Sequence, residues 1–489
     1  MIWSSSVVTD PASAPVSDGN VRTGGRALPL GVIGWTVAAT TVLAAAVLFV
    51  ALTRARPGYD AFGWLVWGRQ TLHWNLNTDG APSWKPLTFL FTLPYGLVKG
   101  AQQYLWVLTA VAGAFAGAGF AGRIAYRLSL RSPARRLGPV VAAIVAGVGV
   151  LGIDGYTHQL LIANADPMTA TLCLAAIDSH MSRRPRLAFA LIVLASLARP
   201  EAWPFAALYG VWVWRSVPSS RPLVIAGLGL IPAIWFTVPA LTSKSWLTPG
   251  DLDLNSVNAI HGSRFIGVID RFVDVHDWPM ELAALVAVGV AAWRRDRLTL
   301  TLAGAVVGWV AIEIALALNG YSAVPRYLLE PAAVMVVLGA GAAGLALGWI
   351  PARAPGLRWL SVVAVIAFVA SLYPYLHREV KTARGQVSQQ KAFARQLDRL
   401  SAVIAKVGGP GRILACGQAV TLVQFQSTVA WEVGLNVGNV GFRPGRSIHK
   451  GIPVVVLKPH DQGWQIRTYN IPRAKAAGCE RLRTDSAFG

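Results

Sequence analysis

Residues 31–53, GVIGWTVAATTVLAAAVLFVALT, run for 23 positions without a charged side chain. A hydrocarbon core of about 30 Å takes about 20 apolar residues of helix to cross, so this run predicts a membrane span. It is too long for the apolar part of a secretory signal, and no clear cleavage site follows it. Similar runs fall at 104–126, 137–153, 166–182, 186–199, 202–214, 222–241, 279–293, 298–318, 327–349 and 357–376. Together they predict an α-helical polytopic membrane protein of about eleven transmembrane helices over 31–376. Residues 86–98 are too short for a span and contain Pro94, which suits an interfacial or re-entrant piece. Only 14% of the 489 residues are charged, against about 25% in soluble proteins; a soluble enzyme is excluded. Residues 1–30 are polar and rich in Ser, Pro and Gly, and read as a disordered cytoplasmic tail.

Lys and Arg number 44 against 23 Asp and Glu. In a soluble chain that excess would suggest nucleic acid. Among membrane spans it reads as a positive-inside bias, and no nucleic-acid partner is implied. With the N-terminus cytoplasmic, the inner loops hold Arg123, Arg127, Arg131, Arg135 and Arg136, then Arg183, Arg184 and Arg186, Arg215 and Arg221, Arg294, Arg295 and Arg297, and Arg353 and Arg358; the outer loop 154–165 holds no Lys or Arg. Arg54 and Arg56 run against this pattern. The chain is then a multi-pass plasma-membrane protein whose residues 377–489 are extracytoplasmic. They carry 17 Lys and Arg against 6 Asp and Glu, read as a charged helix (378–407) and strands at 412–416, 453–457 and 464–469, and predict a small basic α/β domain. Cys416 and Cys479 both fall there, where disulfides persist, and are candidates to pair; Cys173 lies in mid-span.

The acids sort by side. Asp178 and Asp296 are the inner exceptions, while Asp60, Asp79, Asp154, Asp166, Glu201, Asp251, Asp253, Asp270, Asp274 and Asp277 gather outside. Acidic residues contribute little to orientation, and charges at span edges are costly and often functional. The outer loops 54–103, 154–165 and 242–278 are therefore the candidate site. In the first, Asp60 sits among Tyr59, Trp64 and other aromatics; a carboxylate there suits a general base or an oxygen ligand for a divalent cation, Mg or Mn. The same residue also reads as a helix N-cap beside an interfacial aromatic belt. Lys85, between Trp84 and Pro86, suits a lipid phosphate or a snorkelling side chain. Asp166 reads as a second acid facing Asp60, for metal or substrate, or as an N-cap before Pro167. His158 is a possible ligand or hydrogen-bond donor. Arg199-Pro200-Glu201 separates two short apolar runs, as where helices stop at a cavity; Arg199 suits phosphate, or pairs with Glu201. Pro325-Arg326-Tyr327 opens a span, with Arg326 a further phosphate contact and Glu313 within reach of it. Asp270, Asp274, His276 and Asp277 match no metal-ligand spacing and read as a solvated loop.

No Walker A, dinucleotide fingerprint, HExxH or GxSxG sequence occurs, so nothing supports a nucleotide-driven pump. A transferase on the outer face needs a donor that arrives in the membrane. The order of Tyr59-Asp60, Asp166, the Arg199-Pro200-Glu201 break, Pro325-Arg326-Tyr327 and a C-terminal outer domain resembles the GT-C superfamily of integral-membrane glycosyltransferases. Within it, the chain is similar to the polyprenyl-phosphate-sugar-dependent branch that includes actinobacterial arabinofuranosyl- and mannosyltransferases. The resemblance implies an inverting transfer of an arabinofuranose- or mannose-class sugar to an envelope glycan, lipid or protein. In that scheme Asp60 is the base, Arg199, Arg326 or Lys85 holds the lipid phosphate, and Asp166 binds metal or substrate. Tyr59, Trp64, His158, Glu201 and Tyr327 complete the substrate-binding set. Some relatives carry paired acids where this chain has the single Asp60. Two other functions fit the topology: a transporter or flippase of lipid-linked sugars, and a non-catalytic envelope-assembly scaffold.

Overall fold

The computed structural model of the chain describes residues 31–80, 82–98, 100–130, 137–254, 256, 258–353, 356, 358–460, 463–473, 478–479 and 482. The N-terminal tail, 1–30, and Arg131, Arg135 and Arg136 of the basic loop lie outside the described residues.

Helices dominate, and each predicted apolar run falls on one. α1 (Val32–Thr53) leads into α2 (Tyr59–Leu72) and α3 (Pro86–Tyr95), a ten-residue helix with Pro94 inside it. Then follow α4 (Gln102–Ser129), α5 (Leu137–Leu151), the short α6 (Tyr156–Leu161) and α7 (Asp166–Met181). α8 (Pro185–Ala198), α9 (Trp203–Ser216) and α10 (Arg221–Thr242) come next. The segment read as a solvated outer loop instead holds α11 (Thr248–Asp251) and α12 (Arg264–Asp274). α13 (Trp278–Arg294), α14 (Arg297–Leu318), α15 (Leu329–Arg353) and α16 (Arg358–Lys406) complete the bundle.

Six described helices are long and apolar enough to cross a membrane, and α12 with α13, bent by 100°, makes a seventh if counted as one span. The count falls short of eleven because several helices are short. α8 and α9 have 14 residues each, roughly 21 Å at 1.5 Å per residue. Pro200 separates them: proline bars the helical region to the residue before it, and Arg199 is extended (φ −146°, ψ 128°).

Helix runs unbroken through residue 376. The last apolar run and the charged helix are one helix, α16, of 49 residues. Arg54 and Arg56, out of place by charge bias, both bind Asp398 on it at 2.9 and 2.7 Å. Asp178 pairs with Arg123 and Arg127 at 2.8 and 2.9 Å.

Beyond α16, Arg412–Cys416 is not a strand. It belongs to α17 (Gly409–Cys416), which starts with Pro410 in its first turn and buries Ile413 and Cys416, three residues apart, on one face. β1 (Gln418–Val420), α18 (Gln426–Val433), α19 (Pro444–His449), β2 (Val454–His460) and β3 (Gly463–Tyr469) follow. The strands form a sheet of order β1-β2-β3, with β1 parallel to β2 and β3 antiparallel to it. A disulfide joins Cys416 to Cys479. This layer is continuous with the bundle. Its apolar cluster takes in Val66 of α2, and Arg69 stacks on Trp431 at 4.4 Å while donating to the Trp431 and Ala430 carbonyls.

Candidate active site

Breaks between helices deliver the charged side chains to one place. Gly58, extended, is the N-cap of α2, so Asp60 sits inside the first turn. Its Oδ2 accepts from Arg326 Nη1 at 2.9 Å. Asp166 opens α7, whose N-cap is Ala165. Its Oδ1 accepts from Lys85 Nζ at 3.1 Å and from Arg199 Nη1 at 3.2 Å, and Arg326 Nε lies 3.6 Å from Oδ2. Lys85 is at the N-cap of α3, extended ahead of Pro86. Arg326 lies in a 3₁₀ turn, Pro325–Leu328, reached through Ala323 in the left-handed region (φ 44°). One guanidinium, that of Arg326, thus stands between the two carboxylates.

The cluster is graded in depth. The Asp166 and Arg199 side chains are 0% and 3% exposed, against 19% for Asp60 and 29% for Arg326. Below, Arg199 lies 3.9 Å over the Tyr327 ring. It faces Glu201 at 3.4 Å, Glu330 at 3.9 Å and Glu313 at 4.0 Å. Burying a charge without partners is costly, and Arg199 stands among these three acids and Asp166. Glu313 therefore serves Arg199 rather than Arg326.

Around the mouth, burial and then the Asp60 charge push the Tyr59 phenol up to about 12. It stays protonated and donates to Gln426 Oε1 at 3.1 Å. At His158, desolvation and then the Arg326 charge lower the pKa. Trp64 is fully buried. It packs edge-on against Trp106 and lies under Lys85 Nζ at 5.6 Å, so it supports Lys85 and offers no free face to a sugar.

The structure brings Asp60, Lys85, Asp166, Arg199, Glu201, Arg326 and Tyr327 together, with Tyr59 and His158 at the rim. Three further members join them, of which only Asp253 was named in the sequence, as one of the outer acids. Glu330 lies inside an apolar run. Asp253 accepts from Ser322 Oγ at 2.7 Å and Tyr327 Oη at 3.4 Å. Gln426 comes from 367 residues away in sequence. A divalent cation does not fit at Asp166 as it stands. Three cationic side chains ring this carboxylate, and among the described residues no three His, Cys, Asp or Glu converge as ligands.

Chemically, Lys85 and Arg326 offer partly open positive charge to an oxyanion, Arg199 adds buried charge behind them, and Asp60 is a carboxylate at the mouth. Phosphate recognition and proton acceptance from a hydroxyl are what such a set supports.

Neither a protein-family model nor a curated protein matches the chain. Among solved structures it is similar to ArnT from Cupriavidus metallidurans. The structure of ArnT bound to undecaprenyl phosphate has 13% identity and a TM-score of 0.49, covering 88% of this chain and 94% of that one. The apo ArnT structure has 14% identity and a TM-score of 0.50, covering 88% of this chain and 93% of that one. At that identity the likeness speaks to fold alone: the chain shares the architecture of the apo ArnT structure.

Proposed function

We propose that the protein is a membrane glycosyltransferase. It moves a sugar, of arabinofuranose or mannose class, from a polyprenyl-phosphate donor to an envelope glycan, lipid or protein acceptor. The observation that carries this reading is the cationic set of Lys85, Arg199 and Arg326 on Asp166, with Asp60 bonded to the outermost cation at 2.9 Å. The eleven-crossing topology belongs to the same reading. The N-terminus is then cytoplasmic, the site and the C-terminal layer face the outside of the plasma membrane, and the short helices α7–α9 end at the donor cavity.

In the proposed reaction the donor phosphate enters from the membrane and takes contacts from Lys85 and Arg326. Drawing Arg326 toward phosphate loosens its bond to Asp60 and frees the carboxylate. Asp60 accepts the proton of the acceptor hydroxyl. The hydroxyl oxygen forms a bond to the anomeric carbon from the face opposite the phosphate. The bond from that carbon to the phosphate oxygen breaks, and its electron pair leaves with the polyprenyl phosphate. The anomeric centre inverts. Lys85 and Arg326 stabilise the charge that grows on the leaving oxygen. No step is routed through a metal ion.

The test is glycosidic-linkage analysis of the envelope from a deletion strain carrying either the wild-type chain or Asp60→Asn. Loss of one linkage, restored by wild type alone, supports the assignment. Equal restoration by Asp60→Asn removes Asp60 from the chemistry.

A further inference from the structure

Among the outer elements, α12 has the most sharply divided surface. Phe265, Ile266, Ile269 and Val273 are 52%, 56%, 37% and 47% exposed. At about 100° of turn per residue, these four fall within one arc of about 100°. Asp270 and Asp274 occupy the next arc and are also exposed. The remaining side faces protein: Val268 is buried, and Arg264 and Arg271 reach inward to backbone carbonyls. One helix thus has a protein side, a charged side and an apolar side that no described part of the chain covers.

Its orientation says what covers it. α12 stands at 100° to α13, so if α13 crosses the membrane, α12 runs along its surface. Trp278, 59% exposed, marks the junction, and exposed tryptophan collects at the headgroup level. The neighbouring helices carry exposed apolar side chains too: Leu282, Leu285 and Val286 on α13 and Leu318 at the end of α14. A helix with one apolar face, at headgroup depth, binds by burying that face at the acyl boundary.

α12 is also tied to the site. Arg271 Nη1 donates to the carbonyls of Ser322 and Ala323 at 2.7 and 2.8 Å. Arg264 Nη1 donates to those of Ala317 and Leu318 at 3.2 and 3.1 Å. Ala323 is the residue held at φ 44°, a conformation that persists only where surrounding contacts impose it. Three residues later comes Arg326.

We propose that α12 lies in the membrane plane, with Phe265, Ile266, Ile269 and Val273 seated among the lipids of the leaflet on the site's side, and that this seat holds the strained turn that delivers Arg326. The proposal needs only that the chain is a membrane protein, so its failure and that of the transferase reading are separable.

The test uses the full chain in phosphatidylcholine bilayers, with Cys173→Ala and the Cys416–Cys479 disulfide kept. Single cysteines at 265, 266, 269, 270, 273 and 274 carry a nitroxide, and collision rates with oxygen and with a water-soluble nickel chelate are compared. Oxygen should be favoured at 265, 266, 269 and 273, and the chelate at 270 and 274. Chelate access at all six positions makes α12 a solvated helix, and oxygen preference at all six makes it part of a re-entrant span; either overturns the in-plane seat. Hydrogen exchange reads the coupling. Phe265→Ser/Ile266→Ser/Ile269→Ser should speed exchange in 319–328 by about tenfold, with α4 unchanged. Should that variant loosen α4 as well, Arg271→Ala, which cuts the two hydrogen bonds to the turn and one to the Asn258 carbonyl, gives the decisive reading. The same rise supports the coupling, and unchanged exchange in 319–328 overturns it.

Discussion

Replacing Arg199 by leucine tests the depth grading of the site most directly. The guanidinium faces Asp166, Glu201, Glu330 and Glu313 at 3.2, 3.4, 3.9 and 4.0 Å, and none of these side chains is more than 5% exposed. Removing one partner of a buried ion pair costs about 3–5 kcal/mol, because the other charge is left without compensation. Here one substitution takes the guanidinium from Glu201, Glu313 and Glu330, while Asp166 keeps Lys85 and Arg326, so that range applies as it stands. At roughly 2 °C per kcal/mol, the low end for large chains, the melting temperature should fall by about 6–10 °C. The measurement is the fraction of detergent-solubilised protein that stays monodisperse after heating. Adding Glu313→Gln and Glu330→Gln to Arg199→Leu should recover most of the loss, since it removes two of the carboxyls left without a cation. A melting temperature within 1–2 °C of wild type for Arg199→Leu, a shift worth about 1 kcal/mol or less, would refute the view that this guanidinium neutralises the buried acids.

Asp60→Asn should cost less than Arg199→Leu in the same assay, because Arg326 keeps Asp166 at 3.6 Å, whatever it does to transfer. Cys416→Ser with Cys479→Ser opens a loop of 63 residues, a loss of about 4 kcal/mol by chain entropy; limited proteolysis should then cut the C-terminal layer before the bundle. Gly68→Ala would drive a methyl group into the Thr92 carbonyl between α2 and α3, and should lower stability by about 1–3 kcal/mol with no change in α13 or α14 exchange. The folded pKa of His158 lies below its ordinary value, about 6.5. Its stabilising share is therefore complete above about pH 6.5 and lost as pH falls through the folded pKa. The melting-temperature gap between wild type and His158→Gln should shrink from pH 7 to pH 5, and a constant gap would exclude this titration.

Much of the site was legible because a charge at a span edge is rarely neutral in its consequences. Asp60, Lys85, Asp166, Arg199 and Arg326 all stand beside a glycine, a proline or a helix start, and those breaks turn them inward together. Glu330 was hidden by its surroundings: in an apolar run, one carboxylate four residues after Arg326 carries no pattern of its own. Gln426 was illegible for another reason. It is neutral, it lies in a segment without periodicity, and its role arises from α18 packing on α2. Local patterns also misled. Arg412–Cys416 is a short apolar run that suits strand or helix, and the deciding feature is Pro410 in the first turn. Residues 264–274 do carry a helical period, but their acids drew attention to chelation and solvent instead.

α16 has a mechanical consequence. Its 49 residues, with Pro374 inside, run for roughly 74 Å at 1.5 Å per residue, more than twice the hydrocarbon thickness of about 30 Å. Arg54 and Arg56 guy it to the end of α1 through Asp398, and its tip carries the mixed sheet. Such a mast is a lever arm. A tilt of about 5° at its foot, within the ordinary spread of span tilts, would carry the tip about 6 Å sideways. Because α18 rests on the helix that opens with Tyr59 and Asp60, bilayer thickness becomes a load that the mast can transmit to the mouth of the site.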